Sequence, residues 1–371
     1  MYAIDEVASR VRILALLMVL VAIFVAPAVN GQAVAGAQQE RGLVFYGWGD
    51  QHVQGDGDYS HCMGAVEAFN AMPGMAYPED IGGVVPEPSF VFNTGDLTEW
   101  PTHAAVNGYE EMIGKIRWPS FEISGNHDDG GKVHSETCLN WLREKHGALN
   151  YSFDAGGVHF TCLHTPLAPD ANSPAGPVFP EALRFLRNDL ATQPKEKPVV
   201  VAMHLCFDAL TNRDEVVDAF EGHNVILVLA GHYHTPTYNS YRGINFVQLP
   251  SPKSKIRAVS VIRITPDRLV VRHYDYENKE WMDRAKVDVP IKWPPVEEYS
   301  QPTTTVQPTD KALDLPKVGV LYYEDFAKDA GGWGLKQELE GSGYDAKNGY
   351  GGQYASDTGC MKAVSYTHLT L

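Results

Sequence analysis

The sequence predicts an α/β fold, in which buried strands alternate with helices and form layered sheets. Continuous apolar runs recur along the chain, as in strands that are buried on both faces. Stretches with apolar residues at helical spacing lie between several of these runs. Each of the first five runs also leads directly into a motif of Asp, Asn or His. The polar motifs therefore belong at strand ends.

Five strands are predicted from these apolar runs. They cover residues 42–48, 89–93, 119–124, 198–203 and 224–230. In open α/β sheets, ligands bind in the crevice at the carboxyl ends of the strands. The motifs that follow these strands are therefore expected to converge in space, although they are spread over nearly half of the chain.

Three helices and three further strands complete the predicted α/β unit. Helical spacing covers residues 104–116 and 180–190, and residues 211–220 begin with Thr211 as a capping candidate. The later strands, residues 245–249, 258–264 and 269–276, are predicted to form the second sheet of a layered domain that closes near Lys292.

The acidic composition argues against nucleic acid as a partner. The chain has 30 basic and 46 acidic residues, which gives a net charge of −16. Nucleic-acid phosphates require a basic surface. No nucleic-acid partner is therefore expected.

Residues 1–37 are typical of an export signal. Arg10 and Arg12 precede the apolar run 13–28, and small residues at 33–35 give a cleavage site. The alternative is an uncleaved N-terminal anchor. In both cases the protein is expected outside the cytoplasm, in a periplasmic, extracellular or membrane-anchored location.

The chain contains five cysteines, an odd number for an exported protein. Cys62 and Cys138 lie on helix-like segments that follow two polar motifs, so a disulfide between them is one hypothesis. Cys162 and Cys206 lie in or beside apolar runs and are predicted to be buried thiols.

The domain organisation predicted from composition has four parts. Residues 1–37 are the signal or anchor, and 42–292 are the catalytic domain. Residues 293–317 are rich in Pro and Thr and are predicted to be an extended linker. Residues 318–371 are expected to be the start of a truncated β-rich domain, because a β-sandwich uses about 100 residues. This unit could provide contact with a cell surface or a carbohydrate.

Seven side chains in the polar motifs are candidate metal ligands. They are Asp50, His52, Asp96, Asn126, His204, His232 and His234. Oxygen donors mixed with imidazoles suit ions such as Zn, Fe and Mn. Seven ligands exceed the needs of one ion, so two adjacent ions with a bridging carboxylate are expected. That arrangement suits phosphate-ester hydrolysis.

Each motif also has a structural interpretation when it is considered alone. Asp50 could cap a loop, Asp96 could occupy a turn, and a lone His204 is more often structural. These interpretations do not explain why every strand end carries a ligand type. His61, close to the first motif, is a weaker candidate for substrate contact.

Together the motifs resemble the calcineurin-like metallophosphoesterase superfamily, which includes purple acid phosphatases and cyclic-nucleotide phosphodiesterases. The resemblance covers residues 42–292 and implies an α/β/β/α sandwich. It also implies two metal ions, divalent or of mixed valence, drawn from Fe, Mn or Zn. One group of ligands is then Asp50, His52 and His234; the other is Asn126, His204 and His232; and Asp96 bridges them.

The resemblance also implies the catalytic roles. A metal-bridging hydroxide attacks phosphorus, and His127 contacts the phosphate and protonates the leaving oxygen. Asp128 orients the loop as support. Many relatives carry, three residues after the bridging Asp, an Asp that pairs with this histidine; Glu99 stands there, so the pairing does not transfer directly. Purple acid phosphatases carry Tyr at that position, so a coloured Fe(III)–tyrosinate centre is not expected.

The sequence therefore predicts an exported, dinuclear metal-dependent phosphoesterase that acts on small phosphate mono- or diesters. One alternative is a nuclease of the same superfamily, which the acidic balance disfavours. A second is a surface adhesion or binding protein with a vestigial phosphoesterase domain. The complete ligand set disfavours this second alternative.

Overall fold

The computed structural model describes residues 42–130, 134–164 and 175–300. The predicted signal, residues 1–37, and the predicted C-terminal unit, residues 318–371, lie outside the described residues. Most of the predicted linker also lies outside them. The proposed domain boundaries therefore stay predictions.

The described residues form two sheets and several helices in an alternating order. The strands are β1 Leu43–Trp48, β2 Val91–Asn93, β3 Ser120–Glu122, β4 Tyr151–Ala155, β5 Val158–Cys162, β6 Pro198–Ala202, β7 Asn224–Ala230, β8 Thr237–Tyr241, β9 Ile244–Gln248, β10 Ala258–Ile264, β11 Arg268–Asp275 and β12 Glu280–Pro290. The α-helices are α1 Met63–Ala71, α2 His103–Ile113, α3 Glu136–His146, α4 Pro180–Ala191 and α5 Arg213–Asp218. Short 3₁₀ turns cover Ser60–Cys62 and Val296–Glu298.

Each sheet has six strands and combines parallel and antiparallel pairs. The first has the order β12-β11-β10-β1-β2-β3, and the second has the order β4-β5-β6-β7-β9-β8. In the first sheet β1, β2 and β3 are parallel. In the second sheet β5, β6, β7 and β9 are parallel. The parallel strands therefore form one side of the first sheet, β1 to β3, and the centre of the second sheet, β5 to β9.

The two sheets pack face to face, and helices cover both outer faces. Phe45 of β1 and Phe160 of β5 meet edge to face with ring centroids 5.4 Å apart, within the core between the sheets. The next residue on β1, Tyr46, faces the opposite core with α1, α2 and α3. Val199 and Val201 of β6 face α4 and α5. The predicted α/β/β/α sandwich is confirmed, and burial on both faces explains the continuous apolar runs.

The prediction that the three later strands form the second sheet is wrong. β9 joins the second sheet beside β7, whereas β10 pairs antiparallel with β1 in the first sheet. Phe45 lies opposite Ile262 in this pairing. An apolar strand pattern specifies burial but not the identity of the neighbouring strand, so the chain's crossing between the sheets was not visible in the sequence.

All three predicted helices are present, but α2 ends at Ile113, before the predicted residue 116, and α5 is also shorter than predicted. α2 begins after Thr102, whose hydroxyl accepts a hydrogen bond from the backbone N–H of Ala105. α4 has Pro180 in its first turn, where the missing N–H costs nothing. α5 is shorter than predicted, and the residue before it is Asn212 rather than Thr211. Within the described residues, we find no helix with the length and apolar character needed to cross a membrane.

The hypothesis of a disulfide between Cys62 and Cys138 is wrong. Both are buried free thiols, as are Cys162 and Cys206, for which that state was predicted. The thiol of Cys62 donates to the carbonyl of Gln51, at 3.4 Å. The thiol of Cys138 donates to Asp128, at 3.5 Å. Each sulfur is therefore engaged with the loop that precedes its own helix.

Candidate metal centre

The structure brings the seven predicted ligands together at one edge of the sandwich. β1, β2 and β3 of the first sheet end just before Asp50, Asp96 and Asn126. β6 and β7 of the second sheet end just before His204 and His232. The carboxyl ends of five strands, contributed by both sheets, therefore meet at one site.

The ligand loops turn sharply as they leave the strands. Five of the seven candidate ligands have positive φ angles, a conformation that residues other than glycine rarely adopt. They are Asp50 at 54°, His52 at 48°, Asp96 at 53°, His232 at 85° and His234 at 63°. Such strained residues concentrate at functional sites, where the surrounding structure holds them in place.

A glycine precedes four of the candidate ligands, and close packing explains why. A Cβ on Gly125 would lie 2.2 Å from Oδ1 of Asp96. The same holds at Gly231, where a Cβ would lie 2.7 Å from Oδ2 of Asp50, too close for any side chain. The sequence contains these Gly-ligand dipeptides, but their packing role becomes visible only when the loops are in contact.

The first group of ligands comprises Asp50, His52 and His234. Nε2 of His52 lies 3.0 Å from Nε2 of His234, which in turn lies 3.6 Å from Oδ1 of Asp50. Asp50 and His52 are buried, and the side chain of His234 is one-third exposed. One atom from each of the three residues can therefore approach a common point, as in a metal-binding group.

The second group comprises Asn126, His204 and His232. Oδ1 of Asn126 lies 3.2 Å from Nε2 of His204 and 3.1 Å from Nδ1 of His232. The two imidazole nitrogens are 3.3 Å apart. Nδ1 of His204 donates to the carbonyl oxygen of Thr94 at 2.7 Å, which directs its Nε2 lone pair into the site.

Asp96 lies between the two groups. Its Oδ2 is 3.3 Å from Nε2 of His204 and 3.7 Å from Nε2 of His52. Its Oδ1 accepts a hydrogen bond of 2.8 Å from the backbone N–H of His127. One carboxylate oxygen is therefore held by the backbone, and the other faces both groups.

The electrostatics of the site fit cation binding. Burial raises the pKa of Asp50 to about 8 when no cation offsets its charge. Burial acts the same way on Asp96, but the nearby His204 and His127 outweigh it and hold the pKa of Asp96 well below its usual range. Four imidazoles, two carboxylates and one amide form the donor set, which suits Zn, Fe or Mn. The residues present therefore fit two ions.

The two residues predicted to be catalytic lie beside the second group. Nδ1 of His127 donates to the backbone carbonyl of Glu99 at 2.7 Å. Asp128 is buried and accepts from the backbone N–H groups of Gly125, Leu97 and Thr98, at 2.9, 3.1 and 2.9 Å. Asp128 therefore ties two ligand loops together, as expected of a positioning residue. The chemical role of His127 stays a prediction.

The carboxylate of Glu99 contacts His52. It does not pair with His127, as the Asp at this position does in many relatives. It lies 3.0 Å from Nδ1 of His52 and forms an ion pair with Lys253. Nε2 of His61, the weaker candidate for substrate contact, lies 2.7 Å from the carbonyl oxygen of Gln51, the residue between Asp50 and His52 in the sequence.

Sequence reasoning missed the loop that contains Ser251 and Lys253. This loop follows β9, a parallel neighbour of β7, so it reaches the same edge of the sheet. The strand-end rule that identified the other loops would also have found this one. It was missed because Ser and Lys are not common metal ligands.

The family model described as calcineurin-like phosphoesterase matches residues 49–236, a span that includes all seven candidate ligands. This chain belongs to the calcineurin-like phosphoesterase family. A serine/threonine-protein phosphatase, CPPED1 of Rattus norvegicus, is similar to this phosphoesterase at 24% identity over 229 residues. The similarity covers 54% of this chain and 72% of the relative.

Two solved structures also resemble this phosphoesterase. GAP50, described as the anchor in the inner membrane complex of Plasmodium, has a TM-score of 0.49 and 13% identity, over 71% of this chain and 91% of that chain. Vps29 of Entamoeba histolytica, complexed with Zn²⁺, has a TM-score of 0.34 and 11% identity, over 67% of this chain and 99% of that chain.

Proposed function

We propose that this phosphoesterase uses two metal ions to hydrolyse phosphate mono- or diesters of small molecules outside the cytoplasm. The main support is the position of Asp96, whose Oδ2 lies 3.3 Å from one ligand group and 3.7 Å from the other. A carboxylate in that position is suited to bridging two ions. The complete set of seven candidate ligands supports an active enzyme over a vestigial domain.

The seven candidate ligands would be divided between the two ions. Asp50, His52 and His234 would hold one ion, Asn126, His204 and His232 would hold the other, and Asp96 would bind both. Bound ions of this type lower the pKa of a water molecule and stabilise charge on phosphoryl oxygens.

His127 is proposed to supply the proton for the leaving group. The hydrogen bond from Nδ1 to the carbonyl of Glu99 orients the ring. The imidazolium would then donate its second proton, on Nε2, to the leaving oxygen. Trp100 supports the ring from one side, with centroids 5.0 Å apart.

The location and the substrate range rest on the sequence. The export signal or anchor predicted for residues 1–37 supports a location outside the cytoplasm. The net charge of −16 disfavours nucleic acid as the substrate, which separates this proposal from the nuclease alternative.

Metal reconstitution tests the proposed function. The metal-free enzyme would be titrated with Mn²⁺, Zn²⁺ and Fe²⁺, and bound metal and hydrolysis would be measured together. The panel contains aryl phosphates, phosphodiesters, cyclic nucleotides, nucleotides and phosphoserine peptide. We expect activity to reach its maximum as the second ion binds.

The Asp50→Asn variant is the matched inactive control. Full activity in the presence of a chelator, or maximal activity with one ion per chain, would contradict the two-ion proposal. A protein that binds two ions but hydrolyses no ester would support the binding-protein alternative instead.

A further inference from the structure

We propose that Glu99, Ser251 and Lys253 form a positioning cluster that serves one metal of the pair, by holding Asp50, His52 and His234. This inference rests on the proposed two-ion function. It assigns positioning residues to the ligands of one ion only. It therefore predicts that the binding of each ion can be weakened independently of the other.

Glu99 acts on His52 through its side chain. The carboxylate lies 3.0 Å from Nδ1 of His52, whose side chain is 1% exposed. A carboxylate at this distance favours the tautomer that carries its proton on Nδ1. Nε2 then keeps its lone pair, and Nε2 is the atom that lies 3.0 Å from Nε2 of His234.

Lys253 contacts the same carboxylate oxygen of Glu99. Its ammonium group forms an ion pair with Oε2 of Glu99, the same oxygen that approaches His52. The backbone N–H of Lys253 donates to Oγ of Ser251 at 3.0 Å. Lys253 therefore links the Glu99 carboxylate to the loop that follows β9.

Ser251 fixes the other two ligands of this group through their backbone. Its hydroxyl donates to the carbonyl oxygen of Asp50 at 2.7 Å, and its backbone N–H donates to the carbonyl oxygen of His234 at 3.2 Å. Ser251 is fully buried. All three ligands of the first group are therefore connected to residues 251–253, directly or through Glu99.

The second group has a different support. There the hydrogen bond from Nδ1 of His204 to the carbonyl of Thr94 fixes the tautomer of the ring, as Glu99 does for His52. Loss of Glu99 should therefore affect one ion much more than the other. A general loss of negative charge would instead weaken both.

A competing role for Glu99 is direct binding of a further cation with His52 and His127, because these three residues also offer donor atoms close together. The ammonium group of Lys253 already neutralises this carboxylate. It would also repel a metal ion at that position, which favours the positioning role.

The first experiment measures metal affinity in the full-length protein. Metal-free wild type, Glu99→Ala, Glu99→Gln and Ser251→Ala would be titrated with Co²⁺ by calorimetry and visible absorption. We expect two ions in the wild type, with one bound about 10–100-fold more weakly in Glu99→Ala. Glu99→Gln should be intermediate, since its amide oxygen can still accept a hydrogen bond, and Ser251→Ala should weaken binding of the same ion.

Glu87→Gln is the matched control. Glu87 also forms an ion pair, with Arg117 at 2.9 Å, but it is exposed and lies before β2 rather than after a strand end. Its removal should leave both affinities unchanged. This control separates positioning from a change in overall charge.

The second experiment examines His52 without metal. Nitrogen-15 spectra of histidine-labelled, metal-free protein report which ring nitrogen carries the proton. We expect the Nδ1–H form of His52 in the wild type and a mixture of tautomers in Glu99→Ala. A merely structural contact would leave the tautomer unchanged.

The outcomes separate this inference from the proposed function. One ion per wild-type chain would contradict the two-ion function, and the tautomer would then decide the role of Glu99. If Glu99→Ala weakened the binding of both ions equally, or left the His52 tautomer unchanged, the inference would be overturned. Three ions in the wild type, with one lost in Glu99→Ala, would make Glu99 a ligand instead.

Discussion

The backbone N–H of His232 donates a hydrogen bond to the carboxylate of Asp50, at 2.8 Å to Oδ1 and 3.1 Å to Oδ2. Asp50 follows β1 of the first sheet, and His232 follows β7 of the second. This contact therefore joins the two sheets at the edge where the candidate ligands meet. The carboxylates of Asp50 and Asp96 are each oriented by a backbone N–H from a neighbouring motif.

Asp96→Asn is expected to lower activity by at least the factor of about 10²–10³ that one electrostatic group contributes. A neutral amide cannot offset the repulsion between two cations. Metal content and turnover are the measurements. Thermal unfolding would be measured with and without metal, and the difference between the two, about 2.7 kcal/mol at 100 times Kd in the wild type, should shrink.

Asp283→Asn is the control for Asp96→Asn, because Asp283 has a side chain that is 96% exposed. It should behave as the wild type does. Normal turnover in Asp96→Asn, with two ions still bound, would exclude a bridging role for Asp96.

Gly125→Ala is expected to reduce activity by about 10²-fold, because a displacement of roughly 1 Å at a site can have that effect. The added methyl group would approach Oδ1 of Asp96 to 2.2 Å, so the carboxylate must move. Steady-state kinetics and metal affinity are the measurements. In Gly176→Ala the nearest atom among the described residues is a side-chain carbon of Leu205 at 3.5 Å, an ordinary contact distance, and we expect no change.

A Gly125→Ala enzyme with wild-type kinetics would show that the loop tolerates the extra carbon. The close packing of the motif glycines would then have no functional consequence. Circular dichroism of both alanine variants would establish that each is folded.

His127→Ala should slow esters with poor leaving groups far more than activated aryl phosphates. A poor leaving group needs a proton in the transition state, and general acids contribute about 10²–10⁴-fold. The measurement is kcat/KM across leaving groups of increasing pKa. Metal content should stay constant, since Asp96 still accepts from the backbone N–H at position 127.

An equal loss for both ester types in His127→Ala would assign His127 to the phosphoryl oxygens instead. Loss of metal would make His127 part of the ligand set. These results differ from each other and from the expected selectivity.

His159→Gln should reduce stability most at acid pH. Burial lowers the pKa of His159, but Asp154 at 2.8 Å and Asp189 at 2.9 Å outweigh burial and raise that pKa above 6.5. A raised histidine pKa adds stability below pH 6.5, and this contribution is lost as the pH rises through the folded-state pKa.

Urea unfolding of metal-free protein at about pH 5.5 and about pH 8.5 tests this sign. The difference in the free energy of unfolding between wild type and His159→Gln should be larger at the lower pH. His103→Gln, which changes an exposed histidine, is the control. A stability difference that grows toward high pH would contradict the raised pKa assigned to His159.

Much of the fold and of the candidate site followed from local sequence patterns. The run of residues 225–230 is apolar at every position because both faces of the strand are buried, and that property is visible without a structure. Ligand-type residues after such strands must lie near the carboxyl edge. Asp50, Asp96 and His232 could therefore be selected before any distance was known.

The sequence by itself thus determined the buried strands, the layered α/β class and the seven candidate ligands. The tertiary structure decided the sheet that each later strand joins, the free state of Cys62 and Cys138, and the contact between Glu99 and His52. Lys253 reaches Glu99 across 154 positions in sequence. Such contacts depend on which surfaces meet when the two sheets pack, and local patterns of burial do not encode those meetings.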